Sequence, residues 1–350
     1  MQKNKIDLKN LTRSQLTDFV LARGLSSFRA RQIFSWLYRP GITDFSQMTD
    51  LSKKLRQSLA EQAYFSILTP AKREQSVDGT IKYGFRLNDG AMIESVLIPE
   101  DERNTLCISS QVGCAMSCRF CLTATMGFIR NLTPAEIVNQ VCAVLGDVTK
   151  QEMGTVNNLV FMGMGEPLAN FDNLLTSLQI IMDELGLNFS ERRTTVSTCG
   201  LVPKIRELGE KIRVNLAISL HAADDETRSQ LMPVNKTWNL DSLLQACREY
   251  PLPKRRRIMI EYILLRDVND SEKDARLLAR KLRPIRCKIN LIPFNEADPL
   301  PFRTPSQKTI DRFQQILRDE GYTVIVRSSR GSDISAACGQ LAVQGDRNEK

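Results

Sequence analysis

From Thr105 onward, short apolar runs rich in β-branched residues alternate with amphipathic stretches at helical spacing, and this alternation limits most sharply the folds open to the chain. The runs are TLCIS, NLVFM, TTVST, NLAIS, IMIEYILL and KINLI, with TVIVR near the end. Parallel strands need long crossovers between them, and the helical stretches supply these. Six such units predict an α/β fold, a partial (β/α)6 barrel short of the closed eight-fold form. The clearest helix start is Thr133-Pro134-Ala135-Glu136, a capping box with proline in the first turn.

Residues 1–75 have a different period. LTRSQLTDFVLARG, SSFRARQIFSWLYRPG and SQMTDLSKKLRQSLAEQ carry apolar residues three and four apart, with Gly or Pro breaks between them. They predict a small, basic, helical accessory domain. Over 76–104, IKYGFRL and AMIESVLI flank Asn88-Asp89-Gly90, a tight-turn signal for a linking β-hairpin. The barrel and a loop around Cys338 occupy 105–342, and VQGDRNEK at 343–350 is a polar tail.

The start, MQKNKIDLKNLTR, lacks the apolar centre of a signal peptide, and no later stretch reaches the roughly 20 apolar residues of a membrane span. A soluble, cytoplasmic protein is expected. In that reducing compartment nine cysteines argue for metal or thiol chemistry rather than a disulfide framework. Cys142, Cys247 and Cys287 fall within apolar patterns and are assigned to packing. The formal charge of +8 favours a polyanionic partner but is weak evidence alone.

Cys114-Ala-Met-Ser-Cys118-Arg-Phe-Cys121 follows the first barrel strand directly. Three thiolates on one short loop can hold three irons of a [4Fe-4S] cluster and leave the fourth iron open for a substrate ligand. Zinc would want a fourth Cys or His nearby, whereas the sole histidine is His221, a hundred residues on. Polar groups also stand just past successive strands, where barrel enzymes place ligands. They are Gly163-Met164-Gly165-Glu166-Pro167, Ser197, Ser219-Leu220-His221 and Asn295. Glu166 can accept from an ammonium group, and the others suit a ribose and an adenine. His221 is given a binding role only.

The three-cysteine pattern resembles the radical S-adenosylmethionine superfamily. With RARQIFSWLY, DFSQMTDLSKKLR, CISSQVGCAMSCRFC, GFIRNLT, FMGMGEPLAN, AISLHA, MPVN, KINLIPFN and AACGQLA in order along nearly the whole chain, the resemblance narrows to the RlmN family of dual-specificity adenine-C2 methyltransferases. The related adenine-C8 resistance enzymes share the cysteines and the barrel, but CAMSC and LIPFN are closer to the C2 enzymes. A non-catalytic basic RNA-binding or zinc-binding protein is the alternative from another class. Leu122-Thr123-Ala124-Thr125 and Cys199 depart from the family pattern, and neither is expected to touch a reacting group.

The resemblance implies a [4Fe-4S] cluster on Cys114, Cys118 and Cys121, and S-adenosylmethionine bound by Gly165, Glu166, Ser197, Ser219, Leu220, His221 and Asn295. It implies methylation of C2 of an adenosine in 23S ribosomal RNA, at the peptidyl-transferase centre, and of the adenosine 3′ to the anticodon in some transfer RNAs. Two S-adenosylmethionine molecules and an external one-electron reductant serve each turnover. One methylates Cys338; the radical from the second activates that methyl group, which then joins C2. Glu94 is implied as the base for the C2 proton and Cys107 as the thiol that takes the sulfur in a disulfide. For the RNA, Arg29, Arg31, Lys53, Lys54 and Arg56, then Lys254, Arg255, Arg256 and Arg257, then Arg327 and Arg330, are candidate contacts. A pocket for a flipped-out base is expected.

Overall fold

The structure, a computed structural model, describes residues 5–100 and 103–342; the tail expected at 343–350 lies outside the described residues. Helices α1 (Arg13–Leu21), α2 (Ser27–Leu37) and α3 (Lys53–Gln62) form the N-terminal module. It is closed by a two-residue pairing of β1 (Ile6–Asp7) with β2 (Ala63–Tyr64). Thr12 and Gln15 make a reciprocal capping box at the start of α1. The α2 face of Ala30, Ile33, Phe34 and Leu37 is buried.

Strands β3 (Pro70–Gln75), β4 (Ile81–Arg86), β5 (Met92–Glu100) and β6 (Arg103–Cys107) are antiparallel neighbours. β7 (Gln111–Gly113) and β8 (Phe128–Asn131) form a separate ribbon around the cysteine loop. β9 (Val156–Phe161), β10 (Thr194–Thr198), β11 (Asn215–Ser219), β12 (Ile258–Leu264), β13 (Cys287–Pro293) and β14 (Val324–Val326) then continue from β6, all parallel. The ten-stranded sheet therefore runs in chain order, open at β14 and β3. The hairpin expected around Asn88-Asp89-Gly90 forms, and its strands extend the barrel sheet: Val96 pairs with Cys107 across β5 and β6.

The crossovers carry α4 (Leu122–Thr125), α5 (Pro134–Lys150), α6 (Phe171–Met182), α7 (Val202–Lys211), α8 (Asp225–Leu231), α9 (Leu240–Glu249), α10 (Glu272–Leu282) and α11 (Gln307–Asp319). Thr133 and Glu136 form the expected capping box on α5, whose Ile137, Val138, Val141, Val144 and Val148 are buried along one stripe. The N-terminal module packs on this helix. Lys9, itself buried, donates to Asn139 Oδ1 at 2.7 Å, and Ala135 N–H donates to Asn10 Oδ1 at 2.9 Å. One continuous apolar core runs from Leu8 in the module to Leu341 beside the Cys338 loop. Among the described residues no helix is long and apolar enough to cross a membrane.

Candidate active site

The carboxyl ends of β9 to β13 converge on one cavity, because Phe161, Ser197, Ser219, Ile263 and Ile292, from five successive strands, all line it. Only a curved sheet brings those ends together, so the parallel strands form part of a barrel. Counted with its open mouth, the space that no atom occupies is about 910 Å³.

Cys114, Cys118 and Cys121 enter this cavity from the loop between β7 and β8. The Cys114 amide donates to Gly127 O at 2.9 Å, closing the loop at its base. Gly113 makes that closure possible: at φ +71° a Cβ there would lie 1.8 Å from the Gly127 oxygen. Burial pushes the Cys114 thiol up to about 11, and the Cys118 and Cys121 thiols also rise, so iron must displace their protons. No three His, Cys, Asp or Glu side chains among the described residues converge on a single metal ion. In a cluster each thiolate takes its own iron. The donor set of three half-buried cysteines on one short loop therefore fits a [4Fe-4S] cluster better than zinc.

Gly165 and Glu166 follow β9. At Gly165, with φ +95°, a Cβ would lie 2.4 Å from Gln111 Cβ, so the residue must be glycine. Gln111 Oε1 in turn accepts from the Glu166 amide at 2.8 Å. The buried Glu166 carboxylate spans two loops, accepting from Leu168 N–H at 3.0 Å and Cys199 N–H at 2.8 Å. The side chains of Cys199 and Thr198 also bond to it, and burial raises its pKa.

Ser197, Ser219 and His221 also line the cavity, as expected. His221 Nδ1 accepts from Ile263 N–H at 3.0 Å, which leaves Nε2 to carry the proton. Burial lowers its pKa to about 3, so the ring is neutral. It meets the Phe120 ring edge-on at 4.7 Å. Leu220 is different: its side chain is buried outside the wall, its amide donates to Glu261 O and its carbonyl accepts from Arg228 Nε. Asn295 is also outside this cavity. Its Nδ2 donates to Cys338 O at 3.3 Å and it lines a second, smaller cavity with Cys338, Arg327 and Arg330.

Cys338 faces both cavities. Cys107, at the end of β6, is buried; burial pushes its thiol up to about 12, the Cys338 sulfur adds to the shift and Arg327 opposes it. Both thiols are free. Glu94 lies on β5 and opens onto neither of these cavities but onto a broad groove between the antiparallel strands and the loop after Cys338.

Several contributors were hidden in the sequence. Arg228, fully buried on α8, donates to the carbonyls of Leu220 at 3.0 Å, Cys199 at 2.7 Å and Ser219 at 3.3 Å, and to Asn235 Oδ1 at 2.8 Å. It clamps the ends of β10 and β11, yet within DDETRSQL it resembles an ordinary solvent-facing helix charge. Glu261 lines the cavity with Oε2 unpartnered, and a lone charge inside IMIEYILL was a usable signal. Cys199 lines the cavity beside Cys114 and Cys118, with its thiol directed to Glu166.

The basic groups separate. Lys254, Arg255 and Arg256 cluster with Arg192 and Asn215 at the amino ends of the strands, away from the cavity. Arg256 is paired with Glu191 at 2.5 Å and Arg257 donates to Thr323 Oγ1 at 2.9 Å. Arg56 donates to Ser46 O, while Arg31, Lys53 and Lys54 are exposed.

A partial barrel with three cysteines on the loop after its first parallel strand, facing a cavity at the strand ends, defines a radical S-adenosylmethionine enzyme. Residues 108–279 match the Radical SAM superfamily model, and residues 6–65 match the ribosomal RNA large subunit methyltransferase N-terminal domain. The dual-specificity RNA methyltransferase RlmN of Desulfotalea psychrophila is 57% identical over 97% of this chain and 96% of its own. That of Geobacter sulfurreducens is 59% identical over 96% and 92%. The crystal structure of a radical SAM methyltransferase from Sphaerobacter thermophilus superposes with a TM-score of 0.90 at 46% identity, covering 96% of this chain and 99% of that one. The chain belongs to the RlmN family of radical S-adenosylmethionine RNA methyltransferases. Its cofactors are a [4Fe-4S] cluster and S-adenosylmethionine.

Proposed function

We propose that the enzyme methylates C2 of an adenosine in 23S ribosomal RNA, at the peptidyl-transferase centre, and of the adenosine 3′ to the anticodon in some transfer RNAs, through a methyl group carried on Cys338. The observation that supports this best is the position of Cys338, which faces the cavity of Cys114, Cys118 and Cys121 on one side and the cavity of Arg327 and Arg330 on the other. When bound, the cluster and two S-adenosylmethionine molecules per turnover supply the methyl group and a carbon radical, which an adenine C2 without nucleophilic character requires.

Cys114, Cys118 and Cys121 hold the cluster. Gly165, Glu166, Ser197, Ser219 and His221 hold S-adenosylmethionine; Leu220 shapes the wall through its backbone and Asn295 orients the Cys338 loop. Cys338 carries the methyl carbon to the base and is transiently bonded to RNA through it. Glu94 Oε2 then takes the C2 proton, and the electron pair of that C–H bond stays on the ring. Cys107 bonds to the Cys338 sulfur as the S–C bond breaks; the departing methylene carbon takes up a proton to become the methyl group, the adduct's unpaired electron passes to a one-electron acceptor, and an external reductant restores both thiols. Arg327 and Arg330 meet the RNA backbone, with Arg31, Lys53 and Lys54 of the N-terminal module as a second anchor. Reduced thiols and an RNA substrate suit the cytoplasm.

The test is anaerobic incubation of the reconstituted enzyme with S-adenosylmethionine, a reductant and an RNA fragment, followed by digestion and mass analysis. The expected product is 2-methyladenosine. 8-Methyladenosine, or unmodified RNA under conditions where S-adenosylmethionine is cleaved, overturns the proposal.

A further inference from the structure

Glu94 and Lys82 lie on adjacent antiparallel strands, Glu94 opposite Gly84 and Lys82 opposite Val96, so their side chains are diagonal neighbours on one face. Both are buried, at 7% and 8% exposure. Lys82 Nζ lies 3.4 Å from Glu94 Oε1 and 3.4 Å from Glu74 Oε2, and the exposed Lys72 pairs with the other Glu74 oxygen at 3.0 Å. Glu94 Oε2 is buried without any hydrogen-bond partner. All four charges line the groove, as does Gly84 opposite Glu94.

The two carboxylate oxygens thus have different surroundings, one held by an ammonium and the other unsatisfied. A buried carboxylate without a counter-charge would take up a proton, and a protonated carboxyl cannot act as a base. A buried acceptor with no partner is the exception in folded proteins and needs a reason. We propose that Lys82 is the positioning residue for Glu94, holding Oε1 so that the carboxylate stays an oriented anion whose Oε2 faces the C2 proton of the target adenine. This deepens the assignment of Glu94 as the base and rests on it.

Electrostatics give the inference a sign. Burial pushes Glu94 up and prevails, Lys82 pulls it down, Glu74 across the strand pushes it up again, and Lys72 opposes more weakly. The remaining charges on the groove, Arg86, Asp298 and Asp333, make no ion pair with Glu94 among the described residues. Removing Lys82 and removing Glu74 should therefore move the base in opposite directions.

The test follows the covalent Cys338–RNA species through a single turnover of the full enzyme between pH 6 and 9, reading its rise and decay on denaturing gels. Iron content and S-adenosylmethionine cleavage without RNA serve as folding controls. In Lys82→Met the adduct should form at the wild-type rate but decay about two- to five-fold more slowly near neutrality. Its pH midpoint for decay should move alkaline by about one unit. Lys82→Arg should restore most of the rate, and Glu74→Gln should move the midpoint to lower pH. Wild-type decay with an unmoved midpoint in Lys82→Met, while Glu94→Gln stalls, overturns the role of Lys82 and leaves the base in place. Equal slowing of formation and decay without a midpoint shift also overturns it, as the mark of a merely structural lysine. Normal decay in Glu94→Gln overturns the base itself.

Discussion

Leu122 donates its amide to the carbonyl of Gly339 at 2.8 Å, so the residue after the third cluster cysteine is tied to the residue after Cys338. The next residue repeats the link: Thr123 Oγ1 donates to Leu341 O at 2.5 Å. Two loops more than two hundred residues apart are thereby joined just past the thiol that faces the cavity.

Thr123 is buried, so Thr123→Val keeps the shape of the side chain but leaves the Leu341 carbonyl without this donor. The expected cost is about 1–3 kcal/mol, measured by chemical denaturation. Alkylation of Cys338 should accelerate as its loop loosens. A variant as stable as the parent, with unchanged Cys338 reactivity, would show that the link contributes nothing.

Replacing Cys114, Cys118 and Cys121 together by Ala should abolish iron binding and the brown thiolate-to-iron absorption of anaerobic protein. Cys142→Ala, on the α5 helix outside the cavity, should leave both intact. Retention of full iron by the triple variant would contradict the cluster assignment.

Cys107 and Cys338 should fail in opposite ways. Cys338→Ala should bind its cluster and form no link to RNA. Cys107→Ala should accumulate protein attached to RNA, seen as a nuclease-sensitive gel shift that survives denaturant and reductant. Were Cys107 only a packing residue, its loss would cost modest stability and leave multiple turnover running.

The anchor assigned to the N-terminal module predicts a salt effect. Arg31, Lys53 and Lys54 are exposed, whereas Arg56 is turned back on Ser46. Neutralising Arg31, Lys53 and Lys54 should flatten the fall of RNA affinity with salt, and replacing Arg56 should do so less. S-adenosylmethionine cleavage without RNA should persist. An unaltered slope in the triple variant would move the RNA surface elsewhere.

His221 is held neutral by burial, with a folded-state pKa of about 3 against an ordinary 6.5. Protonation thus favours the unfolded chain, so stability is full above pH 6.5 and falls as pH drops below it. Between pH 7 and 5 the loss from this group should be about 2 kcal/mol in denaturation midpoints. His221→Asn, which can still accept from Ile263 N–H, should show a smaller decline over that interval. An identical decline would assign the acid sensitivity to other groups.

Features that depend on neighbours along the chain are legible in the amino-acid sequence alone. Strand and helix order, the Thr133 capping box, the turn at Asn88-Asp89-Gly90 and the cysteine spacing are set by local periodicity and loop geometry, which act over a few residues. The apolar runs even imply that the barrel is incomplete. What the tertiary structure decided was convergence. Sheet curvature puts Ser197, Ser219 and His221 into one wall while leaving Leu220 behind it and Asn295 under the Cys338 loop. It sends residues 254–256 to the opposite end of the strands. Burial likewise turned Arg228 and Lys82, which look like surface charges in the sequence, into buried cations whose partners lie on neighbouring elements. Hydrophobic pattern specifies which face of an element is covered, but not which distant carbonyl or carboxylate a buried charge meets. That pairing is set by how the strands pack side by side.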